Sequence, residues 1–280
     1  MNTFLTRTGT AVIFVAVMLG GILWSPASFF LLFLVAGTGA LLEYLRLGAR
    51  MGPGLVPGGL LPRLLLALAG AALFLWMSGS HFQAGGRTAG EIGRLAFGIL
   101  LPLWLLSAAL SGRPFRITKL GYPLLGLLYT ILPFCMLVQL RLDDPGRIPQ
   151  IPLGLIGAIW INDTMAYIVG SLIGRTPFFP AISPKKTWEG TIGGIMLTLA
   201  AATVFGVLNQ RYPAMIWIII GGLGAVMGTL GDLLESRLKR LAGVKDSGRI
   251  LPGHGGFLDR FDSLLLATPF VWSFMQLLWY

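Results

Sequence analysis

Apolar positions in this chain come in runs of about twenty residues, and polar positions gather between them. The runs lie near residues 8–24, 27–45, 60–79, 93–111, 120–140, 151–173, 190–208, 214–233 and 261–280. About twenty apolar residues in helical form cross a bilayer's hydrocarbon core. Backbone N–H and C=O groups have no water partners there, so helices are favoured over open sheets. The runs do not alternate with period two, which argues against a barrel. The pattern predicts an all-α integral membrane protein, a polytopic bundle of about nine transmembrane helices. Arg7 ahead of the first run imitates a signal peptide, but eight further runs favour an uncleaved first helix. There is no evident repeat, linker or low-complexity segment. Residues 1–150 are expected to form an N-terminal transmembrane region of about five helices. Residues 151–280 are expected to form a C-terminal transmembrane region.

Composition agrees: 55% of residues are hydrophobic and 11% are charged. The formal net charge of +10 does not point to nucleic acid here. In a membrane chain, excess Lys and Arg mark cytoplasmic loops and draw anionic headgroups. Arg7; Arg46, Arg50 and Arg63; Arg113, Arg116 and Lys119; Arg175, Lys185 and Lys186; and Arg237, Lys239, Arg240, Lys245, Arg249 and Arg260 all fall on one face of the expected topology. Only Arg87, Arg94, Arg141, Arg147 and Arg211 fall on the other. The bias predicts a cytoplasmic N-terminus and an external C-terminus. The single cysteine, Cys135, lies in an apolar run and reads as a packed thiol.

The eleven acids are unevenly spread. Glu43, Glu91, Asp143 and Asp144 read as ordinary loop or span-end residues. Asp163, Glu189, Asp232, Glu235, Asp246, Asp259 and Asp262 gather in the sixth run, the most basic cytoplasmic loops, or the helix ends beside them. Asp163 is near the middle of an apolar run, where a carboxylate costs about 2.5–3.5 kcal/mol, so a site-lining role is expected. In "AISPKKTWEG", Ser183 suits an N-cap and Pro184 a first helical position. Lys185 and Lys186 would then occupy a helix's first turn, against the dipole, unless a phosphate is bound there. In "MGTLGDLLESRLKRLAG" and the run just before it, glycines 221, 224, 228 and 231 would let the helix pack closely. Asp232, Glu235, Ser236 and Lys239 share one helical face, with Arg240 at its margin.

The stretch "KDSGRILPGHGGFLDRFDS", residues 245–263, is the densest in polarity. "PGHGG" cannot be regular helix, and its glycines permit positive φ and close backbone approach to a ligand. Such turns can form nests of N–H groups for anions. "LDRFDS" opens the last span, with Asp259 and Asp262 on one helical face. Carboxylates converging near Asp232 would give Mg²⁺ the oxygen ligands it takes, with water and substrate phosphate completing its shell.

From Ser236 to Asp262 the chain reads SRLKRLAGVKDSGRILPGHGGFLDRFD. This resembles the signature of the phosphatidate cytidylyltransferases, and "SPKKTWEG" and "NDTMAYIVG" resemble segments of that family in the same order. The likeness covers about residues 155–265. It implies a Mg²⁺-dependent reaction of CTP with phosphatidic acid to give CDP-diacylglycerol and pyrophosphate, at the cytoplasmic face of a bacterial inner membrane. A second cation is compatible with it. The resemblance implies Asp232, Asp259 and Asp262 as metal ligands, and Asp232, Asp259, Lys239, Asp246 and His254 as catalytic residues. It implies substrate contacts from Asp163, Ser183, Lys185, Lys186, Ser236, Arg240, Lys245, Gly255, Gly256 and Arg260. A CTP-dependent polyprenol kinase is the near alternative, and would release CDP. A secondary transporter is the distant one, and would show inverted repeats. Small-residue helix faces are compatible with a homodimer.

Overall fold

A computed structural model of the chain describes residues 2–52, 54–110, 117–144, 146, 148–209, 211–248, 250 and 255–279. It is helical nearly throughout. Among the described residues, eight helical segments are long and apolar enough to cross a membrane, and Val12–Leu23 adds a shorter apolar stretch. The expected nine runs are thus all helical, and the protein is an all-α, multi-pass membrane protein. Its contacts divide it into two units. One is Met1–Asp143 with Leu241–Arg260, and the other is Asp144–Arg240 with Phe261–Tyr280. The loop after residue 240 therefore clusters with the N-terminal helices, not with the helices that precede it in sequence.

The first unit holds α1 (Asn2–Leu23), α2 (Pro26–Met51), α3 (Leu60–Ser78), a hairpin of β1 (Gln83–Ala84) and β2 (Arg87–Thr88), α4 (Ala89–Ala109), α5 (Ile117–Gly126) and α6 (Leu132–Asp143). Ser25 and Ser28 form a reciprocal cap at the start of α2, with Pro26 at the position where its missing N–H costs nothing. A π-helical turn, Leu127–Ile131, joins α5 to α6. Pro133 follows it, and the wider turn takes up the ring's clash with the preceding turn. Phe29, Phe33, Phe74, Trp104 and Phe134 are fully buried and form the core. Leucines and isoleucines such as Ile99, Leu106 and Leu110 stand exposed on α4 and just beyond it, as a lipid-facing surface requires.

The second unit holds α7 (Gln150–Ile173), a hairpin of β3 (Pro177–Phe179) and β4 (Ser183–Thr187), α8 (Trp188–Leu208), α9 (Ala214–Leu241) and the body of α10 (Leu258–Trp279). Glycine sets its spacing, as the sequence predicts. A side chain at Gly224 would press on Leu155 and Ala158 of α7. One at Gly231 would meet the Asp262 carbonyl oxygen and Ser263 of α10. Cys135, in the first unit, is buried and free.

One expectation is corrected. Ser183 is not an N-cap, and Pro184 does not begin a helix. Residues 183–187 are a strand, with Phe179 opposite Ser183 and Pro177 opposite Thr187. Thr187 caps α8 instead, accepting from the Gly190 N–H at 3.2 Å. Its extended backbone suits both the strand's end and the cap. Glu189 then occupies the first turn, the sign the helix dipole favours. The lysines lie on the strand before the helix, so the apparent conflict with the dipole does not arise.

Candidate active site

The second unit gathers carboxylates at one end of its helices. Ligand oxygens of Asp232, Glu235 and Asp262 all lie within 4.8 Å of one another. Asp232 and Glu235 are one turn apart on α9, and Gly231 lets α10 bring Asp262 against them. Lys186, carried in by β4, pairs with Asp232. Lys239 pairs with Glu235 across one turn of α9. The Ser236 hydroxyl donates to Asp232 Oδ1 at a long 3.4 Å. Asp163 of α7 shares the field of Lys186 and Asp232, and its neighbour Asn162 donates to Thr229 Oγ1 at 3.1 Å, tying α7 to α9.

The hairpin that carries Lys186 is held at both ends. Arg240 Nε donates to the Ile182 carbonyl at 3.3 Å. Backbone N–H groups of Arg175 and Thr176 donate to the Glu189 carboxylate at 3.1–3.2 Å. Lys185, next to Lys186 on a strand, points elsewhere and is exposed.

Four carboxylates thus meet two ammonium groups. Like charges 4–5 Å apart repel by about 3–4 kcal/mol at an effective dielectric near 20. A hard divalent cation reverses that sign and takes oxygen ligands, so this donor set fits Mg²⁺. Glu235, fully buried, belongs to the cluster although the sequence expectation left it out of the metal set. Its place on the Asp232 face was legible.

Asp259 is engaged differently, within the first unit. Its Oδ2 accepts from the Ser247 N–H, the Ser247 hydroxyl and the Gly256 N–H, each at 2.8 Å. Gly255 has φ +81°, and a side chain there would strike the Asp259 carboxylate. Beside this loop lies Glu43 of α2, with no exposed surface. Its Oε2 accepts from the Leu258 N–H, at the start of α10, at 2.8 Å, and lies 2.9 Å from the Ser247 hydroxyl, whose one proton it shares with Asp259. Any side chain at Gly248 or Gly256 would run into the Glu43 carboxylate. Glu43 was expected to be an ordinary span-end acid. The signal that could have found it is the spacing of buried positions on α2, where Phe29, Phe33, Ala36, Ala40, Glu43 and Leu47 share one stripe.

Lys245 and Asp246 are exposed and line a polar cavity of about 590 Å³ in the same unit. Arg260 is exposed. His254 lies outside the described residues. Most of the expected site residues therefore fall into two clusters: Asp163, Lys186, Asp232, Ser236, Lys239, Arg240 and Asp262 in one, and Lys245, Asp246, Gly255, Gly256 and Asp259 in the other.

Comparison with known proteins gives a consistent answer. The model of the cytidylyltransferase family matches residues 5–278. The phosphatidate cytidylyltransferase of Bacillus subtilis is 38% identical over 211 residues, covering 73% of this chain and 77% of the relative. That of Staphylococcus saprophyticus is 39% identical over 174 residues, 61% of this chain and 65% of the relative. The Staphylococcus haemolyticus enzyme of the same name is 48% identical over 113 residues, 40% of this chain and 43% of the relative. With a family match that runs nearly end to end over a chain that clusters acids and lysines among apolar helices, this protein belongs to the cytidylyltransferase family.

Proposed function

We propose that this chain is a phosphatidate cytidylyltransferase, converting CTP and phosphatidic acid to CDP-diacylglycerol and pyrophosphate. What supports the reading most is the cluster of Asp232, Glu235 and Asp262 beside Lys186 and Lys239, in a chain of this family. The lipid phosphate oxygen attacks the α-phosphorus of CTP. A new P–O bond forms, the bond from the α-phosphorus to the bridging oxygen breaks, and pyrophosphate leaves with that electron pair. The nucleophile is already ionised, so no strong base is needed, and catalysis rests on positioning and charge neutralisation.

Asp232, Glu235 and Asp262 would hold Mg²⁺, which when bound neutralises phosphate charge. Lys186 and Lys239 are proposed to orient these carboxylates and contact phosphate oxygens, and Ser236 and Arg240 to support them. Asp163 is proposed to line the site from α7. Lys185, Lys245, Asp246, His254 and Arg260 are proposed contacts of the nucleotide or headgroup. Asp259 is proposed to shape the 245–260 loop through its three hydrogen bonds, with Gly255 and Gly256. The charge bias between loops supports a cytoplasmic N-terminus and a cytoplasmic active site in a bacterial inner membrane.

The test is a product assay on detergent-purified protein with base-labelled CTP, phosphatidic acid and Mg²⁺, with and without EDTA. Label entering the lipid, with pyrophosphate released and both stopped by EDTA, is the expected result. Release of CDP with phosphorylation of a polyprenol would replace this reading with the kinase.

A further inference from the structure

The polar cavity of about 590 Å³ in the first unit brings together residues that the signature does not connect. Lys245, Asp246, Ser247 and Gly248 line it from the loop, and Arg46 and Arg50 line it from α2. The two arginines are exposed and four residues apart, so both side chains leave the same face of the helix. Among the described residues, three cations thus line one cavity with a single carboxylate.

The floor of this cavity is built. The Ser247 N–H is fixed on Asp259 Oδ2 at 2.8 Å, and its hydroxyl lies 2.8 Å from Asp259 Oδ2 and 2.9 Å from Glu43 Oε2. Gly248 abuts the Glu43 carboxylate and has no room for a side chain. Glu43 precedes Arg46 by one turn of α2, so a single helix both secures the floor and supplies two of the cations. Positive charge at a membrane boundary accounts for arginines near a headgroup layer. It does not account for their meeting Lys245 around a shaped, polar hollow.

We propose that Arg46, Arg50 and Lys245 form a binding site for a phosphate-bearing substrate, either the triphosphate of CTP or the headgroup phosphate of phosphatidate. Guanidinium forks match phosphate oxygens in bidentate geometry, and Lys245 adds a point charge. The assignment deepens the proposed cytidylyl transfer and rests on it. It also gives α2, in the half of the chain without the signature, a direct part in substrate binding.

The experiment compares wild-type protein in lipid nanodiscs with Arg46→Gln, Arg50→Gln and the double variant. CTP is varied at saturating phosphatidate, and phosphatidate at saturating CTP. Loss of a charge-assisted phosphate contact should raise KM for one substrate about tenfold or more in the double variant, with kcat within about threefold and the melting midpoint held. A rise for CTP alone assigns the site to the triphosphate, and a rise for phosphatidate alone assigns it to the headgroup. Unchanged KM values for both overturn the proposal. The single variants carry the same test if the double variant does not insert. If wild-type protein transfers no cytidylyl group, the reaction has failed and the site is read by equilibrium dialysis of inorganic triphosphate and CTP, and by binding to vesicles containing phosphatidate. Weaker binding by the arginine variants then supports the site, and equal binding rejects it.

Discussion

The two acidic clusters of this protein use the same functional group in opposite ways. In the second unit, Asp232, Glu235 and Asp262 crowd within 4.8 Å, and ammonium groups balance only part of their charge. In the first unit, Glu43 and Asp259 stand among backbone N–H groups and one shared hydroxyl. Carboxylates collected faster than donors favour a cation. Carboxylates met by N–H groups hold a loop. The donors around each acid decide which role it plays.

Substitutions can break this contrast, and the largest effect belongs to the crowded cluster. Asp232→Asn or Asp262→Asn should lower kcat/KM by on the order of a hundredfold or more, with the melting midpoint kept or raised, because repulsion is relieved as activity is lost. Steady-state assays and thermal melts of the same preparations check both parts. Loss of folding in Asp262→Asn would instead make that acid structural.

Gly256→Ala should come next. It drives a methyl group into Glu43, and overpacking of this kind costs about 1–3 kcal/mol. A lowered melting midpoint with activity reduced in parallel is expected. Glu43→Ala should be comparable, since it leaves the Leu258 N–H without its acceptor and the Ser247 hydroxyl with Asp259 alone, at about 1–3 kcal/mol. Glu43→Gln, which keeps one acceptor oxygen, should recover part of the loss. Equal damage from Gln and Ala would show that the charge, and not the acceptor, matters.

A smaller effect is expected between α7 and α9. Thr229→Val removes the acceptor of the buried Asn162 amide and should cost about 1–2 kcal/mol, read by chemical or thermal unfolding. The smallest lies in the loop before α9. Burial, then the Asp144 carboxylate that accepts its hydroxyl at 3.0 Å, pushes the Tyr212 phenol from its ordinary value of 10 up to about 12. The folded state holds this proton more tightly, so its contribution is complete below pH 10 and is lost as pH rises toward about 12. Tyr212→Phe should flatten the alkaline fall in melting midpoint over that window, and an unchanged slope would remove Tyr212 from the account.

Much of the fold was legible because a bilayer is a stringent solvent. Runs of twenty apolar residues have few alternatives to spanning helices, so the eight spanning segments and the shorter Val12–Leu23 stretch among the described residues all appeared in the sequence pattern. The close packing of α9 was legible from glycines 221, 224, 228 and 231 for the same local reason. The start of α8 was misread because Ser-Pro carries a valid helix-start signal that pairing with Pro177–Phe179 overrides. Pairing of Ser183 with Phe179 is no part of a helix-start signal, which reads only the residues that follow.

The sequence by itself determined the helical membrane class and the face of α9 on which Asp232, Glu235 and Lys239 lie, since both depend on composition or on short spacings. Only the tertiary structure decided which acids meet. Asp259 and Asp262 share a face of one helix, yet one is engaged by Ser247 and Gly256 and the other joins Asp232 and Glu235. Glu43, 204 residues from Ser247, became the anchor of the polar loop. A contact at that separation is set by how helices pack, and helix packing is a property of surfaces that no local stretch of sequence contains.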